Sequence, residues 1–178
     1  MNSSTHEVVV WDCFVRLFHW SVAFLFLADF WVFEDGTLLH DWAGYLIGFL
    51  LLARIIWGFV GSHNARFSSF FPTVPRIRAH IRAMRDNSVD PKEGHNPLGA
   101  LMVLFLMFML AVVTLSGWML TWDAFWGEAW LEDVHELAAN ITMIAVVVHV
   151  SAVVIMGRIL GISLIRAMIT GKRKVDAS

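Results

Sequence analysis

The amino-acid sequence predicts an all-α integral membrane protein, an up-down four-helix bundle that forms a single domain over residues 1–178. The composition indicates the membrane, because 58% of the residues are hydrophobic and only 16% are charged, whereas soluble domains carry about 25% charged residues. The distribution of the apolar residues indicates the bundle, since they fall into four long stretches. Two of the connections between them are short, which makes the joined helices antiparallel neighbours.

Each apolar stretch is long enough to cross a bilayer, which takes about 20 residues at a rise of about 1.5 Å each. The predicted spans are residues 14–33, 38–60, 97–122 and 134–161. The chain start lacks a basic cluster, and no small-residue cleavage motif follows the first span. The first span is therefore expected to be retained as an anchor.

The long connection between the second and third spans contains a further predicted helix. Over Val74–Asp86, the residues Ile77, Ile81 and Met84 fall on one helical stripe among arginines. This pattern is typical of an amphipathic helix on the cytoplasmic membrane surface, although a solvated loop helix would show it too.

The charged residues predict the orientation. Basic residues gather in the long connection and at the C-terminus: Arg66, Arg76, Arg78, Arg82, Arg85, Lys92, Lys172, Arg173 and Lys174. The two short connections carry carboxylates and no basic residue: Glu34, Asp35, Asp123, Glu128, Glu132 and Asp133. The positive-inside rule places the basic segments in the cytoplasm. We therefore expect a multi-pass protein of the bacterial inner membrane with both termini cytoplasmic.

Four histidines in or at the ends of the spans are the candidate site residues: His19, His40, His135 and His149. Fourteen residues separate the last two, which returns them to within about 40° of one helix face at a rise of roughly 21 Å. In an up-down bundle His19 is then level with His149, and His40 with His135. Each level offers two imidazoles from different helices, as axial ligation of a haem iron requires.

Histidines within spans can have other roles. A single one can form an interhelical hydrogen bond. The spacing of a zinc protease, H-E-x-x-H, is absent because Ala139 stands where the second histidine would be. The single cysteine, Cys13, excludes the C-x-x-C-H attachment of a covalent haem. Non-covalent haem with two histidine ligands fits the pattern best.

Several other residues are secondary candidates. Arg54 lies fourteen residues after His40 and is expected to pair with haem propionates. Arg16 is assigned either that role or a contact with lipid headgroups. Gly44 and Gly48 allow close approach by a macrocycle or by another helix. His80 is expected at the surface.

The sequence also resembles prokaryotic cytochromes b561 and the related b-type subunits of nickel-iron hydrogenases. The resemblance covers about Val10 to Lys172 and is carried by the runs VWDCFVRLFHW (10–20), HDWAGY (40–45), RIIWGFVGS (54–62), ARF (65–67), GHNPLGA (94–100), His135-Glu136, His149 and AMITGK (167–172). It implies two b haems, ligated by His19 with His149 and by His40 with His135.

The resemblance and the charges together suggest a function. We expect electron transfer between a membrane quinone, the expected substrate, and an extracytoplasmic redox partner, either a periplasmic c-type cytochrome or a hydrogenase-like subunit. The alternative is a stand-alone superoxide oxidase, a role known in the family. The acidic outer connections argue against collection of an anion, which needs a positive funnel. Whether the chain is itself an enzyme stays open, a homo-oligomer is possible, and no nucleic-acid partner is expected.

Overall fold

The structure, a computed structural model, describes residues 5–86 and 97–176. In chain order its elements are the strand β1 (Thr5–Val9), the helices α1 (Cys13–Trp31), α2 (Leu38–Val60), α3 (Phe67–Phe70), α4 (Val74–Arg85), α5 (Pro97–Leu120), α6 (Ala129–Ile159) and α7 (Leu164–Thr170), and the strand β2 (Lys172–Asp176). Short 3₁₀ turns occur at His63–Ala65 and Asp123–Phe125.

The predicted fold class is confirmed, because α1, α2, α5 and α6 are long and apolar enough to cross a membrane, with mean hydropathy between 1.5 and 2.7. Many of their apolar side chains point outward, as Phe24, Phe49 and Phe108 do at 72%, 66% and 63% exposure. Such a surface is stable against lipid and not against water.

The bounds of the fourth span differ from the prediction. The helix α6 begins at Ala129 rather than at residue 134. Gly127, with φ of +79°, turns the chain, and the Glu128 carbonyl then accepts the backbone N–H of Leu131 at 3.0 Å. Hydropathy alone missed this first turn because it is acidic, as suits the positive end of a helix dipole.

The predicted amphipathic helix forms as α4, and Ile81 on its apolar stripe is 52% exposed. His80 on the same helix corrects an expectation, because it is buried at 6% exposure. Lys92 and the run GHN at 94–96 lie outside the described residues.

The sequence patterns do not predict the two strands. They pair antiparallel, with Glu7 opposite Lys174 and Val9 opposite Lys172. The pairing is set up by Gly171, which ends α7 in the left-handed conformation and whose carbonyl accepts the Val10 N–H at 2.8 Å. This contact joins opposite ends of the chain, so no local pattern reveals it.

The chain folds into two compact units. The first unit comprises residues 17–56 and 104–148. Its buried core takes Val22 and Phe26 from α1, Ile47 and Leu51 from α2, and Leu110 from α5, with Met143 and Val146 of α6 packed against them. All four spans therefore contribute to one apolar core in this unit.

The second unit comprises the described parts of residues 1–16, 57–103 and 149–178. The Asp12 carboxylate organises it by accepting hydrogen bonds from Val15, Trp57 and Ser62. Its Oδ1 accepts the Val15 N–H at 2.8 Å and so caps α1. Its Oδ2 accepts the Trp57 indole N–H at 2.9 Å and the Ser62 hydroxyl at 2.5 Å. The start of α1 is thus fastened to the end of α2.

Candidate functional site

Two of the four candidate histidines meet in the first unit. The rings of His40 and His135 lie 6.0 Å apart between centroids, with their planes at 79°. His40 stands in the first turn of α2, where its N–H faces the Thr37 hydroxyl at 3.4 Å. His135 is in the second turn of α6. The predicted encounter of these two side chains is therefore present in the fold.

The Nδ1 atom of His40 faces a carboxylate. It lies 3.1 Å from Oδ1 of Asp29, a residue of α1. The exposed Asp35 approaches the same Nδ1 at 4.0 Å. A carboxylate at this position favours the tautomer with the proton on Nδ1, so the lone pair of a neutral imidazole lies on Nε2.

The Nδ1 atom of His135 is held on α5. It lies 3.1 Å from the Val113 carbonyl oxygen and 3.1 Å from the Ser116 hydroxyl oxygen. Ser116 already donates its proton to the Val112 carbonyl at 2.7 Å. Both neighbours of Nδ1 therefore accept, so Nδ1 carries the proton and Nε2 is again left with its lone pair.

A glycine makes room for the His135 ring. A Cβ atom at Gly117 would lie 2.9 Å from Cε1 of His135 and 3.3 Å from its Nδ1. Both distances are shorter than ordinary van der Waals contact, so α5 and the imidazole approach this closely only because the residue lacks a side chain.

These features fit axial ligation of a metal. Ligating histidines almost always donate the other ring N–H to a carboxylate or a backbone carbonyl; here the His135 Nδ1 is within hydrogen-bond distance of a carbonyl, and the His40 Nδ1 lies 3.1 Å from a carboxylate oxygen. With ring centroids 6.0 Å apart, the two imidazoles would hold one metal ion between them. Gly44 lies one turn after His40, and a Cβ there would meet nothing within 4 Å. The same helix face therefore offers open space for a flat macrocycle.

Gly48, the second glycine of this face, is different. A Cβ there would lie 3.7 Å from Cβ of Thr114 on α5. Of the two roles considered for this position, the structure shows approach by another helix.

His19 and His149 belong to different units, so their pairing stays a prediction. His19 is on α1, with a buried Nδ1 atom and its ring edge-to-face with Trp20 at 5.0 Å. His149 is on α6, fourteen residues after His135, and is half-buried.

The two candidate arginines differ. Arg54 on α2 is only 4% exposed, which is costly for a cation inside a membrane span and typical of a functional residue. Arg16 donates from Nη1 to the Ile169 carbonyl at 2.7 Å, at the C-terminal end of α7. The structure thus shows a helix-end contact for Arg16, and the predicted propionate or lipid contact stays untested.

Sequence reasoning missed the residues that orient the imidazoles: Asp29, Val113, Ser116 and Gly117. Asp29 carried a usable signal, because a carboxylate within a predicted span is rare and usually functional. Val113 acts through its backbone and Gly117 through a missing side chain, so neither has a signature in a single sequence.

Two of the four membrane-length helices present histidines that face each other, His40 and His135, and each Nδ1 atom of this pair lies beside an acceptor. This arrangement is typical of a membrane cytochrome b. The family model of prokaryotic cytochrome b561 matches residues 10–171. The chain belongs to this family. It is thus an integral membrane helical bundle, a multi-pass protein of a haem b family.

Curated proteins similar to this chain include b-type cytochrome subunits. Two proteins named probable Ni/Fe-hydrogenase B-type cytochrome subunit, from Bradyrhizobium diazoefficiens and Cupriavidus necator, are each 26% identical to this chain. The matches cover 94% and 97% of this chain and 86% and 89% of those proteins. A protein of the same name from Azotobacter vinelandii is 28% identical over 61% of this chain, which spans 56% of that relative's length. No solved structure matches.

Proposed function

We propose that the protein holds two b haems and conducts electrons across the membrane between a quinone and a redox partner outside the cytoplasm. The observation that carries the proposal is the His40/His135 pair, in which both Nδ1 atoms face acceptors and both Nε2 atoms are left for iron. When bound there, haem iron supplies one-electron exchange between its ferric and ferrous states. The protein's part is to hold both imidazoles in one tautomer.

The second haem is assigned to His19 and His149. Support comes from their positions, since each lies within a spanning helix and is half-buried. Arg54 is proposed to bind haem propionates, because a guanidinium buried within a span is stabilised by a neighbouring anion.

The proposed orientation puts both termini in the cytoplasm of a bacterial inner membrane. The basic residues lie in the long connection and near the C-terminus, which the positive-inside rule assigns to the cytoplasm. Tryptophans of the first unit indicate a membrane boundary. Trp31, Trp42, Trp118, Trp122, Trp126 and Trp130 are exposed near helix ends, as expected of side chains at headgroup level.

The partner is proposed to be cationic. Six carboxylates are exposed in the two short connections and at the start of α6: Glu34, Asp35, Asp123, Glu128, Glu132 and Asp133. Asp35 approaches His40 at 4.0 Å, so the acidic surface adjoins the proposed haem site. This charge suits a lysine-rich c-type cytochrome and would repel superoxide. The relatives' names favour a second candidate, a hydrogenase subunit in a permanent complex.

Haem stoichiometry tests the cofactor assignment. The purified protein should contain two haems per chain by the pyridine haemochrome assay. His40→Ala and His135→Ala should remove one component of the reduced-minus-oxidised spectrum, and His19→Ala and His149→Ala should remove the other. If His19→Ala and His40→Ala abolished the same component, the pairing would be wrong.

Salt dependence tests the partner. Electron transfer to a soluble cationic partner should slow steeply between about 0.1 M and 1 M salt, as the Debye length falls from about 10 Å to about 3 Å. Charge acts mainly on the association rate. Neutralising Glu128, Glu132 and Asp133 together should weaken this dependence without changing either haem spectrum. A salt-independent rate, in a preparation shown to lack a co-purified large subunit, would exclude docking by charge.

A further inference from the structure

A cavity of about 470 Å³ lies where the chain leaves the last spanning helix. It belongs to the second unit and is formed by the start and end of α7, by β2 and by one residue of β1. Its lining residues are Glu7, Gly161, Ile162, Ser163, Arg166, Thr170, Lys172 and Arg173. None of these residues has a part in the proposed electron-transfer site.

The cavity lining is strongly basic. Among the described residues, the lining contains Arg166, Lys172 and Arg173 and one carboxylate, that of Glu7, which gives a net charge of two positive. The Lys172 ammonium lies 3.4 Å from the Glu7 carboxylate. Arg173 is only 9% exposed, and this burial lowers the pKa of its guanidinium. A bound anion would offset that desolvation.

Hydroxyl groups complete the polar lining. Ser163 caps α7 by accepting the Arg166 backbone N–H at 3.4 Å, which leaves its own proton for donation to a ligand oxygen. Guanidinium groups beside a hydroxyl are the donors that proteins use to bind phosphate oxygens.

Exposed apolar side chains adjoin the lining residues in sequence. The last residue of the spanning helix, Ile159, is 69% exposed. Ile165 and Ile169 lie one turn apart on α7 and are 48% and 58% exposed. A basic cavity next to an exposed apolar strip at the end of a span matches both parts of a phospholipid, its charged headgroup and its acyl chains.

We propose that this cavity is a binding site for the phosphate headgroup of an anionic phospholipid, with Arg166 and Arg173 as the phosphate-binding residues. Ile165 and Ile169 lie against the acyl chains. The lipid fastens the paired strands and α7 to the bilayer at the end of the last span. This site does not depend on the identity of the electron partner.

Native mass spectrometry tests the site. It measures how much lipid the full-length, haem-loaded protein retains after release from detergent. Three probes are compared: phosphatidylglycerol, phosphatidylcholine and inorganic phosphate. Phosphatidylglycerol should bind at least tenfold more tightly than phosphatidylcholine and raise the midpoint of thermal unfolding. Arg166→Gln and Arg173→Gln should each weaken that binding about tenfold, the loss of one charge-assisted contact.

Arg158→Gln is the matched control. Arg158 is an exposed arginine in the last turn of α6 that does not line the cavity, so this variant should bind the lipid as the wild type does. An equal loss in Arg158→Gln would show general surface attraction and overturn the proposal. Equal binding of the two lipids would overturn it too, as would complete displacement of phosphatidylglycerol by inorganic phosphate. Because Arg166 is exposed, Arg166→Gln should fold, and it can test the site even if Arg173→Gln fails to fold.

Discussion

Replacement of Gly117 by alanine should disrupt the His40/His135 site without touching either ligand. The new Cβ would lie 2.9 Å from Cε1 of His135, whereas ordinary contact begins near 3.4 Å. The imidazole or α5 must therefore move by the difference, about 0.5 Å. Metal–ligand distances in working sites hold within about 0.2 Å.

The shift should also disturb the hydrogen bonds of Nδ1, because the same Cβ would lie 3.3 Å from that atom. Loss of such an outer contact typically lowers metal affinity by about 10- to 100-fold. We expect Gly117→Ala to lose most of the haem component that His135→Ala loses, and to keep the other component. Pyridine haemochrome analysis and reduced-minus-oxidised spectra of the purified variant measure both effects.

Gly48→Ala is the matched control. Gly48 is also a helix glycine, and it lies on α2 next to α5. A Cβ atom there would make an ordinary contact at 3.7 Å with Thr114. Both substitutions gain about 1 kcal/mol of helix propensity, so a difference between them reports the collision with the ring. Full haem content with an unshifted spectrum in Gly117→Ala would refute the reasoning.

Two further predictions concern carboxylates. Asp29→Asn should raise the midpoint potential of the neighbouring haem by about 60 mV, a tenfold change in the equilibrium constant, because a carboxylate partner increases the basicity of the ligand histidine and stabilises ferric iron. A redox titration measures the shift. The control is Asp123→Asn, in an exposed outer connection. An unchanged potential in Asp29→Asn would show that Asp29 has no part in the site. Asp12→Ala should cost about 2 kcal/mol of stability, since it removes a helix cap and the acceptor of an indole N–H. Thermal unfolding in detergent should show a clearly smaller loss for Ser62→Ala, which removes one donor; equal losses would contradict the assigned role of Asp12.

The sequence alone was sufficient for the features that depend on local composition. Hydropathy located four spans, and the structure shifts their ends by a few residues, most at Ala129. Helical periodicity and the up-down order predicted that His40 and His135 would meet. These inferences succeed because membrane thickness and helix rise are fixed physical lengths. The family resemblance identified haem b, which the family match confirms.

The tertiary structure alone decided which groups hold the imidazoles and how the ends of the chain are fastened. Asp29 reaches His40 from a neighbouring helix, and the Val113 carbonyl reaches His135 across 22 residues of chain. Gly171 binds Val10 from the opposite end of the sequence. Contacts of this kind depend on the rotation and register of packed helices, and on backbone groups that every residue possesses. A single sequence therefore contains the ligands of the site but not the partners that orient them.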